Sequence, residues 1–172
     1  MKKVVLGLGT NIGDRLRHLN DAVTALSLLP HTEIDAVSAV YETAPWGYTA
    51  QENFYNICVS VNTDLSPNAL LGACLGIEAA LGRVRTFQYA PRVIDIDVLL
   101  YEGVTLQTEE LTVPHKEMLN RAFVLYPLAE LEIAQYFSID IEKAKAAVSD
   151  QKIIRTNETI SCVSCRNDGD IL

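Results

Sequence analysis

The sequence predicts an α+β fold, a ferredoxin-like βαββαβ arrangement in which an antiparallel sheet of four strands is backed by helices. Segments with the two-residue period of strands alternate with segments of helical period in that order. Helix-capping signals, Asp14 and the pair Ser66 and Pro67, precede both helical segments. The 172 residues, 49% of them apolar, suffice for one domain with a sizeable core. We therefore expect a single domain over residues 1–172, with additional C-terminal elements.

The first strand and helix occupy the N-terminal part of the chain. Residues 2–9 are apolar and prone to form a strand, and they run into glycines spaced GxGxxxG between Gly7 and Gly13. This spacing differs from the GxGxxG of dinucleotide-binding folds, so we interpret the glycines as a tight strand-to-helix turn. Asp14 caps the first helix and Pro30 closes it. The apolar residues that follow helical spacing are Leu16, Leu19, Val23 and Leu26.

Two further strands are predicted next, over residues 33–44 and 53–63, with an aromatic loop between them. The core face of the third strand is predicted to carry Tyr55, Ile57, Val59 and Val61. Asn56 lies on the opposite face, where its amide can offer a donor and an acceptor to the edge of a heterocycle. An Asn at a bulge or sheet edge is the alternative.

The second helix is predicted over residues 66–81, and Gly82 ends it. Its inner stripe is predicted to contain Leu70, Cys74, Ile77 and Leu81. Glu78 lies beside this stripe and therefore borders the core, although a solvated Glu is the alternative.

The fourth strand begins near Val93 and carries two neighbouring carboxylates. Strand alternation places Ile94, Ile96, Val98 and Leu100 on one face. It places Asp95 and Asp97 on the other face, with Leu99 and Tyr101 after them. Neighbouring carboxylates repel each other, so the pair is costly unless a cation lies between them, and Mg²⁺ is the natural candidate. A solvated acidic strand surface is the alternative.

Groups that suit a phosphorylated ligand flank this strand. Upstream, the planar guanidinium donors are Arg83, Arg85 and Arg92, and Tyr89 offers a stacking face. Downstream, His115 and Arg121 can reach phosphates, and Phe123 can stack on a flat ring. Metal-binding and phosphate-binding residue types are therefore concentrated in residues 83–123.

Composition excludes several classes of function. The net charge of −8 argues against a nucleic-acid surface, and no apolar run has membrane-spanning length. The chain starts directly with a strand instead of a signal segment, so we expect a soluble, cytoplasmic protein with no nucleic-acid or membrane partner. Cys58 and Cys74 are predicted to be buried thiols, and the CxxC at residues 162–165 lacks a second pair to complete a zinc site. A short helix is expected over residues 139–148 and a frayed terminus beyond it.

Three motifs give the chain a resemblance to a known family. They are GRVR at residues 82–85, YAPRVIDID at residues 89–97 and LTVPH at residues 111–115. The chain resembles the 6-hydroxymethyl-7,8-dihydropterin pyrophosphokinases of folate biosynthesis from about residue 4 to about residue 131, whereas the tail from about residue 136 matches poorly. The resemblance implies transfer of the β,γ-pyrophosphoryl group of ATP to the hydroxymethyl group of 6-hydroxymethyl-7,8-dihydropterin, with AMP as the other product. We expect a monomer.

The resemblance also implies roles for individual residues. Two Mg²⁺ ions would be held by Asp95 and Asp97, and the catalytic set would be Asp95, Asp97, Arg83 and Arg92. The ATP-binding residues would be Glu78, Arg83, Arg85, Arg92, His115 and Arg121. The pterin-binding residues would be Thr43, Pro45, Trp46, Phe54, Asn56, Tyr89, Asp95 and Phe123. The loops that contain Trp46 and Tyr89 would be candidate flaps over the site.

Two other classes of function fit some of these residues. A metal-dependent nucleotidyl transferase or phosphohydrolase also needs paired Asp and Arg, but it would release diphosphate or orthophosphate. A ferredoxin-like regulatory module would bind a small ligand without any requirement for Mg²⁺.

Overall fold

The structure, a computed structural model, describes residues 1–45, 49–84 and 90–161. The strands are β1 (Lys2–Thr10), β2 (Thr32–Val37), β3 (Tyr41–Thr43), β4 (Phe54–Thr63), β5 (Asp95–Tyr101), β6 (Leu106–Gln107), β7 (Thr112–Val113) and β8 (Ile154–Arg155). The helices are α1 (Arg15–Ser27), α2 (Pro67–Ala80), α3 (Ala122–Leu128) and α4 (Ile141–Ala147). A single 3₁₀ turn, Met118–Asn120, precedes α3.

Six strands form one antiparallel sheet in the order β5-β1-β4-β3-β8, and β2 pairs with the other half of β4. The two short strands β6 and β7 form a separate hairpin. The prediction of an α+β fold with an antiparallel sheet backed by helices is confirmed. Asp14 and Ser66 cap α1 and α2 as predicted, because their side chains accept hydrogen bonds from the backbone N–H groups of Arg17 and Ala69.

The prediction of one strand over residues 33–44 is wrong, because β2 and β3 are separate strands. Val37 pairs with Val59 and Tyr41 pairs with Asn56, so three residues on this side oppose two on β4. The extra residue interrupts the ladder, as in a β-bulge. Ser38 bridges the gap, since its Oγ accepts a hydrogen bond from the backbone N of Cys58 at 3.0 Å.

The predicted alternation of β5 is right up to Leu99 and wrong from Leu100 onward. Val98 pairs with Leu6 and Leu100 pairs with Val5, so Leu99 is an extra residue in the ladder. This bulge reverses the parity of the strand. Leu100 therefore packs on the face that carries the two aspartates, and Tyr101 turns to the opposite face.

Each face of the sheet is covered by its own apolar cluster. On one face α1 and α2 pack against the inward residues of β1, β4 and β5, and Leu6, Leu19, Leu26, Ile57 and Leu70 are fully buried there. On the other face α3 packs against the sheet, with Val5, Cys58, Leu99, Leu100, Leu125 and Leu128 buried. This second cluster covers only part of its face, and the ends of β1, β4 and β5 that lie beyond it form the candidate site.

The C-terminal region is more ordered than predicted. The expected short helix forms as α4, but the expected fraying is wrong for β8, whose Ile154 and Arg155 pair with β3. The CxxC at residues 162–165 lies outside the described residues. Cys58 and Cys74 are buried thiols as predicted. No helix in the described ranges is long and apolar enough to cross a membrane.

Candidate active site

A cavity of about 390 Å³ opens where the second face of the sheet meets the start of α3. Ten of its lining residues form two groups, which we name by their chemistry. The ionic end consists of Arg83, Arg92, Asp95, Asp97, His115 and Arg121. The neutral end consists of Thr43, Phe54, Asn56 and Phe123. The remaining lining residues are Gly7, Leu8, Gly9, Ala44, Ile57, Cys58, Leu99 and Val124.

Two glycines of β1 form the floor of the cavity. Gly9 pairs with Asn56 on one side and with Asp95 on the other, so this row joins the two ends of the site. In the next row, Gly7 lies beside Asp97. A Cβ atom at Gly9 would lie 3.1 Å from Asn56 Oδ1, which is tighter than ordinary contact. These glycines therefore keep the floor open, and the prediction that they form a turn holds only for Gly13, which has φ +65°.

Asp95 and Asp97 lie on the same side of β5, as alternation predicts, but their surroundings differ. Asp95 accepts hydrogen bonds from both Arg83 and Arg92, the latter at 2.5 Å. Burial and the charge of Asp95 raise the pKa of Asp97 to about 7, and Arg121 and Arg92 offset this only in part. Asp97 is thus the less compensated carboxylate of the pair.

Glu78 supports the ionic end from behind. It is only 3% exposed, at the last turn of α2, so the alternative of a solvated Glu is wrong. Its carboxylate accepts hydrogen bonds from the backbone N of Ile96 at 2.8 Å and forms an ion pair with Arg83 at 2.8 Å. Ile96 stands between the two aspartates, so Glu78 fixes the backbone that carries them. Glu78 itself does not line the cavity.

His115 and Arg121 complete the ionic end on the opposite wall. The backbone N of His115 donates to Leu99 O at 2.8 Å, and its Nδ1 accepts from the backbone N of Glu117 at 3.2 Å. Burial and the charge of Arg121 lower the pKa of His115, which favours the neutral imidazole. With Nδ1 accepting, the ring hydrogen is on Nε2, which is then a donor.

The neutral end offers aromatic surface and one fixed amide, which are groups that can hold a flat heterocycle. Asn56 is 5% exposed, and its Nδ2 donates to Thr43 Oγ1 at 3.0 Å, which holds the amide in place. Phe54 and Phe123 supply aromatic surface from β4 and α3. The guanidinium of Arg92 lies 5.5 Å from the Phe54 ring centroid, which is where the two ends meet.

Asn11 is a supporting residue that sequence analysis missed. Its Oδ1 accepts from the backbone N of Arg92 at 2.9 Å, and its Nδ2 donates to Gln51 Oε1 at 2.8 Å and Glu52 O at 3.0 Å. It therefore links the segment before β5 to the segment before β4. Nothing in the local sequence indicates this role, because an Asn at this position is equally common in turns.

The structure brings together ten of the predicted site residues, which are the members of the ionic and neutral ends. Pro45 is half-buried but does not line the cavity. Trp46, Arg85 and Tyr89 lie outside the described residues, as do the tips of both predicted flaps. Sequence analysis also missed Gly7 and Gly9 as floor residues, because their position facing the cavity depends on strand register.

The donor set of the ionic end suits a polyanion accompanied by a divalent cation. Over residues 1–45, 49–84 and 90–161 no group of three His, Cys, Asp or Glu side chains can enclose a metal ion by itself. The two aspartates can supply two oxygen ligands, and Mg²⁺ in such sites takes its other ligands from water and phosphate. Arg92 Nε is buried without a hydrogen-bond partner in the described chain, so the protein itself does not satisfy all donors of this guanidinium.

A family of known proteins matches most of the chain. A family model described as 7,8-dihydro-6-hydroxymethylpterin-pyrophosphokinase matches residues 5–133. A Methylorubrum extorquens protein named 2-amino-4-hydroxy-6-hydroxymethyldihydropteridine pyrophosphokinase is 52% identical over 131 residues, which are 76% of this chain and 83% of that protein. A Bacillus subtilis protein of the same name is 42% identical over 151 residues, 87% of each chain.

Some similar proteins are longer. The Bifunctional protein FolKE of Lactococcus lactis is 39% identical over 156 residues, which are 89% of this chain and only 45% of that protein. A crystal structure of Plasmodium falciparum HPPK-DHPS superposes with a TM-score of 0.64 at 16% identity, covering 84% of this chain and 45% of that one. At that identity the superposition shows a shared fold.

Proposed function

The chain belongs to the 7,8-dihydro-6-hydroxymethylpterin-pyrophosphokinase family, and from this premise we propose that it acts at the cavity described above with the help of Mg²⁺. Its reaction transfers the β,γ-pyrophosphoryl group of ATP to the hydroxymethyl group of 6-hydroxymethyl-7,8-dihydropterin in folate biosynthesis. The products are AMP and the pterin diphosphate. The main support for this site is the cross-strand pairing of Gly9 with Asn56 on one side and with Asp95 on the other. This pairing joins the neutral end to the ionic end across one open floor.

Asp95 and Asp97 fit a Mg²⁺ site. The pKa of Asp97 is raised to about 7 because a second carboxylate stands beside it in a buried place, and a hard divalent cation would remove that repulsion. When bound, Mg²⁺ neutralises charge on the triphosphate and lowers the pKa of a coordinated hydroxyl. We propose that both aspartates are its ligands.

The arginines would hold the triphosphate. Arg83 and Arg92 already lie against Asp95, so each is oriented before the nucleotide arrives. Phosphate oxygens compete with Asp95 for these donors, and bidentate guanidinium groups bind them strongly. Arg121 and His115 line the same cavity. Together these groups would neutralise charge that moves from ATP to the acceptor during transfer.

The neutral end would hold the pterin. Asn56 can pair with the edge of the ring system, and its orientation is fixed by Thr43. Phe123 can stack on the flat ring, and Gly9 leaves room for the ring to lie against β1. The acceptor hydroxymethyl group would then point along the floor toward Asp95, so that positioning supplies part of the rate enhancement.

We also propose that the sheet is a ferredoxin-like one with additional C-terminal elements. The strand order β5-β1-β4 with β2 and β3 on the outside supports this, as does the placement of α1 and α2 on one face. The hairpin β6-β7, α3, α4 and β8 are the additions.

An assay of the products tests the proposed chemistry. The purified protein is incubated with ATP, MgCl₂ and 6-hydroxymethyl-7,8-dihydropterin, and AMP, ADP, diphosphate and orthophosphate are separated by chromatography. We expect AMP in equal amount to the pterin diphosphate, and no product when EDTA replaces MgCl₂. Diphosphate or orthophosphate without a pterin diphosphate would instead indicate a nucleotidyl transferase or phosphohydrolase. Turnover that persists in EDTA would contradict the role of Mg²⁺.

A further inference from the structure

Glu130, which follows α3, joins three separate parts of the chain at the far edge of the sheet. Its Oε1 accepts hydrogen bonds from the Tyr41 hydroxyl at 2.7 Å and from Arg155 Nε at 2.9 Å. Its Oε2 accepts from the backbone N of Ala39 at 2.7 Å. We call these four residues the Glu130 clamp. The clamp ties the end of α3 to β3 and to β8.

The two elements joined by the clamp carry opposite walls of the neutral end. On β3, Tyr41 pairs directly with Asn56, and Thr43 accepts the hydrogen bond of the Asn56 amide. On α3, Phe123 lines the cavity one turn from the 3₁₀ segment. Asn56 itself lies on β4, which pairs with β3 and contacts α3 through Cys58 Sγ and Val124 O at 3.6 Å, so the clamp braces both elements that flank the gap between Asn56 and Phe123.

A second contact keeps the same two elements together. The Tyr41 ring meets the Tyr126 ring of α3 edge to face, with centroids 6.3 Å apart. Tyr41 is only 6% exposed, and burial together with Glu130 raises its pKa to about 12, so its hydroxyl stays a donor throughout the physiological range. The contact between α3 and β3 thus combines ring packing with a charge-assisted hydrogen bond.

The C-terminal strand adds a support that the family match does not cover. The match ends at residue 133, whereas Arg155 lies in β8. β8 is held on β3 by pairing of Arg155 with Tyr41, and Thr156 donates its backbone N–H to Val40 O at 2.9 Å. The outer edge of β3 is consequently covered where the clamp acts.

We propose that Glu130 is a positioning residue for the pterin, because the clamp fixes the gap between Asn56 and Phe123 that the flat ring must fill. This inference rests on the proposed function of the neutral end. Glu130 lies behind both walls and does not line the cavity, so its effect would pass through β3 and α3. It should act more strongly on the pterin than on the nucleotide, since Arg121 at the start of α3 is the single member of the ionic end next to that helix, whereas the other members lie on β5, before it or at His115.

The variant Glu130→Gln tests the proposal. Glutamine keeps the length of the side chain but replaces one acceptor oxygen by a donor, so it cannot satisfy all three donors of the clamp. We expect the Kd and KM for 6-hydroxymethyl-7,8-dihydropterin to rise about fivefold, on the scale of one lost hydrogen bond. The Kd for a non-hydrolysable ATP analogue with Mg²⁺ should change by less than about twofold. Asp21→Asn, which removes the charge of an exposed ion pair on α1, is the matched control and should change neither value.

Tyr41→Phe is the second variant and removes a single hydroxyl without changing the ring packing. It should raise the pterin Kd by a smaller factor than Glu130→Gln does, when binding is measured well below the melting temperature. A purely structural role would lower the melting temperature and leave the ratio of the two Kd values unchanged, and that result in either folded variant would overturn the proposal. Binding is measured at equilibrium and does not require turnover. A wild-type protein that binds the pterin but forms no AMP would therefore contradict the proposed reaction, while the Kd values would still test the clamp.

Discussion

The two ends of the cavity are stabilised in different ways. At the ionic end, long side chains from several segments neutralise one another, as when Arg83 and Arg92 both donate to Asp95. At the neutral end, Asn56 and its neighbours are fixed by the pairing of β4 with β1 and β3. Ion pairs between flexible side chains can exchange partners, whereas strand register cannot change without breaking the sheet. The ionic end can therefore rearrange its ion pairs when a charged group enters, whereas the neutral end is preformed.

This difference determines which changes should matter at each end. At the ionic end a change of charge without a change of shape should have the largest effect. At the neutral end a change of shape without a change of charge should matter most.

Asp97→Asn should cause the largest loss of activity. The substitution keeps the shape of the side chain and removes a charge that the proposed Mg²⁺ site needs. A metal site stabilises the transition state by several kcal/mol, so we expect kcat/KM for ATP to fall by at least about a hundredfold. Glu33→Gln, a change of the same kind on an exposed residue of β2, is the control for carboxylate loss in the sheet. A less than fivefold loss in Asp97→Asn would return the residue to the alternative of an acidic strand surface.

Gly9→Ala should weaken the binding of the pterin and leave the binding of the nucleotide largely unchanged. The added methyl group would lie 3.1 Å from Asn56 Oδ1, so the Asn56 amide must move away from its position on Thr43. Loss of one well-placed hydrogen bond corresponds to about 1 kcal/mol, and we expect the pterin KM to rise roughly five- to tenfold. Gly76→Ala, where nothing lies within 4 Å of the added atom, is the matched control. Equal changes in the KM of both substrates would show that Gly9→Ala distorts the whole sheet.

Phe123→Ala should weaken pterin binding by a smaller factor. Aromatic stacking contributes about 1 kcal/mol beyond burial, so the pterin Kd should rise about fivefold in a calorimetric titration. Phe137→Ala, at a partly buried aromatic residue of the same cluster away from the cavity, controls for loss of core packing. An unchanged pterin Kd in Phe123→Ala would assign this ring to the core alone.

The pH dependence of the melting temperature should reveal the repulsion between the two aspartates. We expect this change to be smaller than the losses of activity and binding above. The folded state raises the pKa of Asp97 from 3.8 to about 7, so between these values the folded protein holds a proton that the unfolded chain releases. This contribution to stability is present at low pH and is lost as the pH rises toward 7. Without ligands, the melting temperature of Asp97→Asn minus that of the wild type should therefore increase between pH 5 and pH 7.5. A difference that does not vary with pH would indicate that Asp97 has an ordinary pKa.

The elements that position the site were largely predictable from local sequence. Alternation in β5 was sufficient to place Asp95 and Asp97 on one face, because the bulge at Leu99 comes after them. The same alternation failed for Leu100, since a bulge is set by the pairing with β1 and leaves no local signal. Capping by Asp14 and Ser66 was predictable because a cap depends only on neighbouring residues.

Features that depend on distant pairing were not predictable. Gly9 is a floor residue only because its strand runs between Asn56 and Asp95, which are far apart in the chain. The contact of Glu130 with Tyr41 spans 89 residues, and that of Asn11 with Arg92 spans 81. Such pairs follow from the tertiary fold, so one sequence without its structure gives no indication of them.

Under the proposed function, the ionic end binds the nucleotide with Mg²⁺ and the neutral end binds the pterin. The most direct test is a calorimetric titration of wild type, Asp97→Asn and Phe123→Ala with two ligands, a non-hydrolysable ATP analogue in MgCl₂ and 6-hydroxymethyl-7,8-dihydropterin. We predict that Asp97→Asn loses the Mg²⁺-dependent part of nucleotide binding and keeps most of its pterin affinity. Phe123→Ala should lose pterin affinity and keep its Mg²⁺-dependent nucleotide binding. Equal weakening of both ligands in both variants would contradict the division of the cavity into two ends.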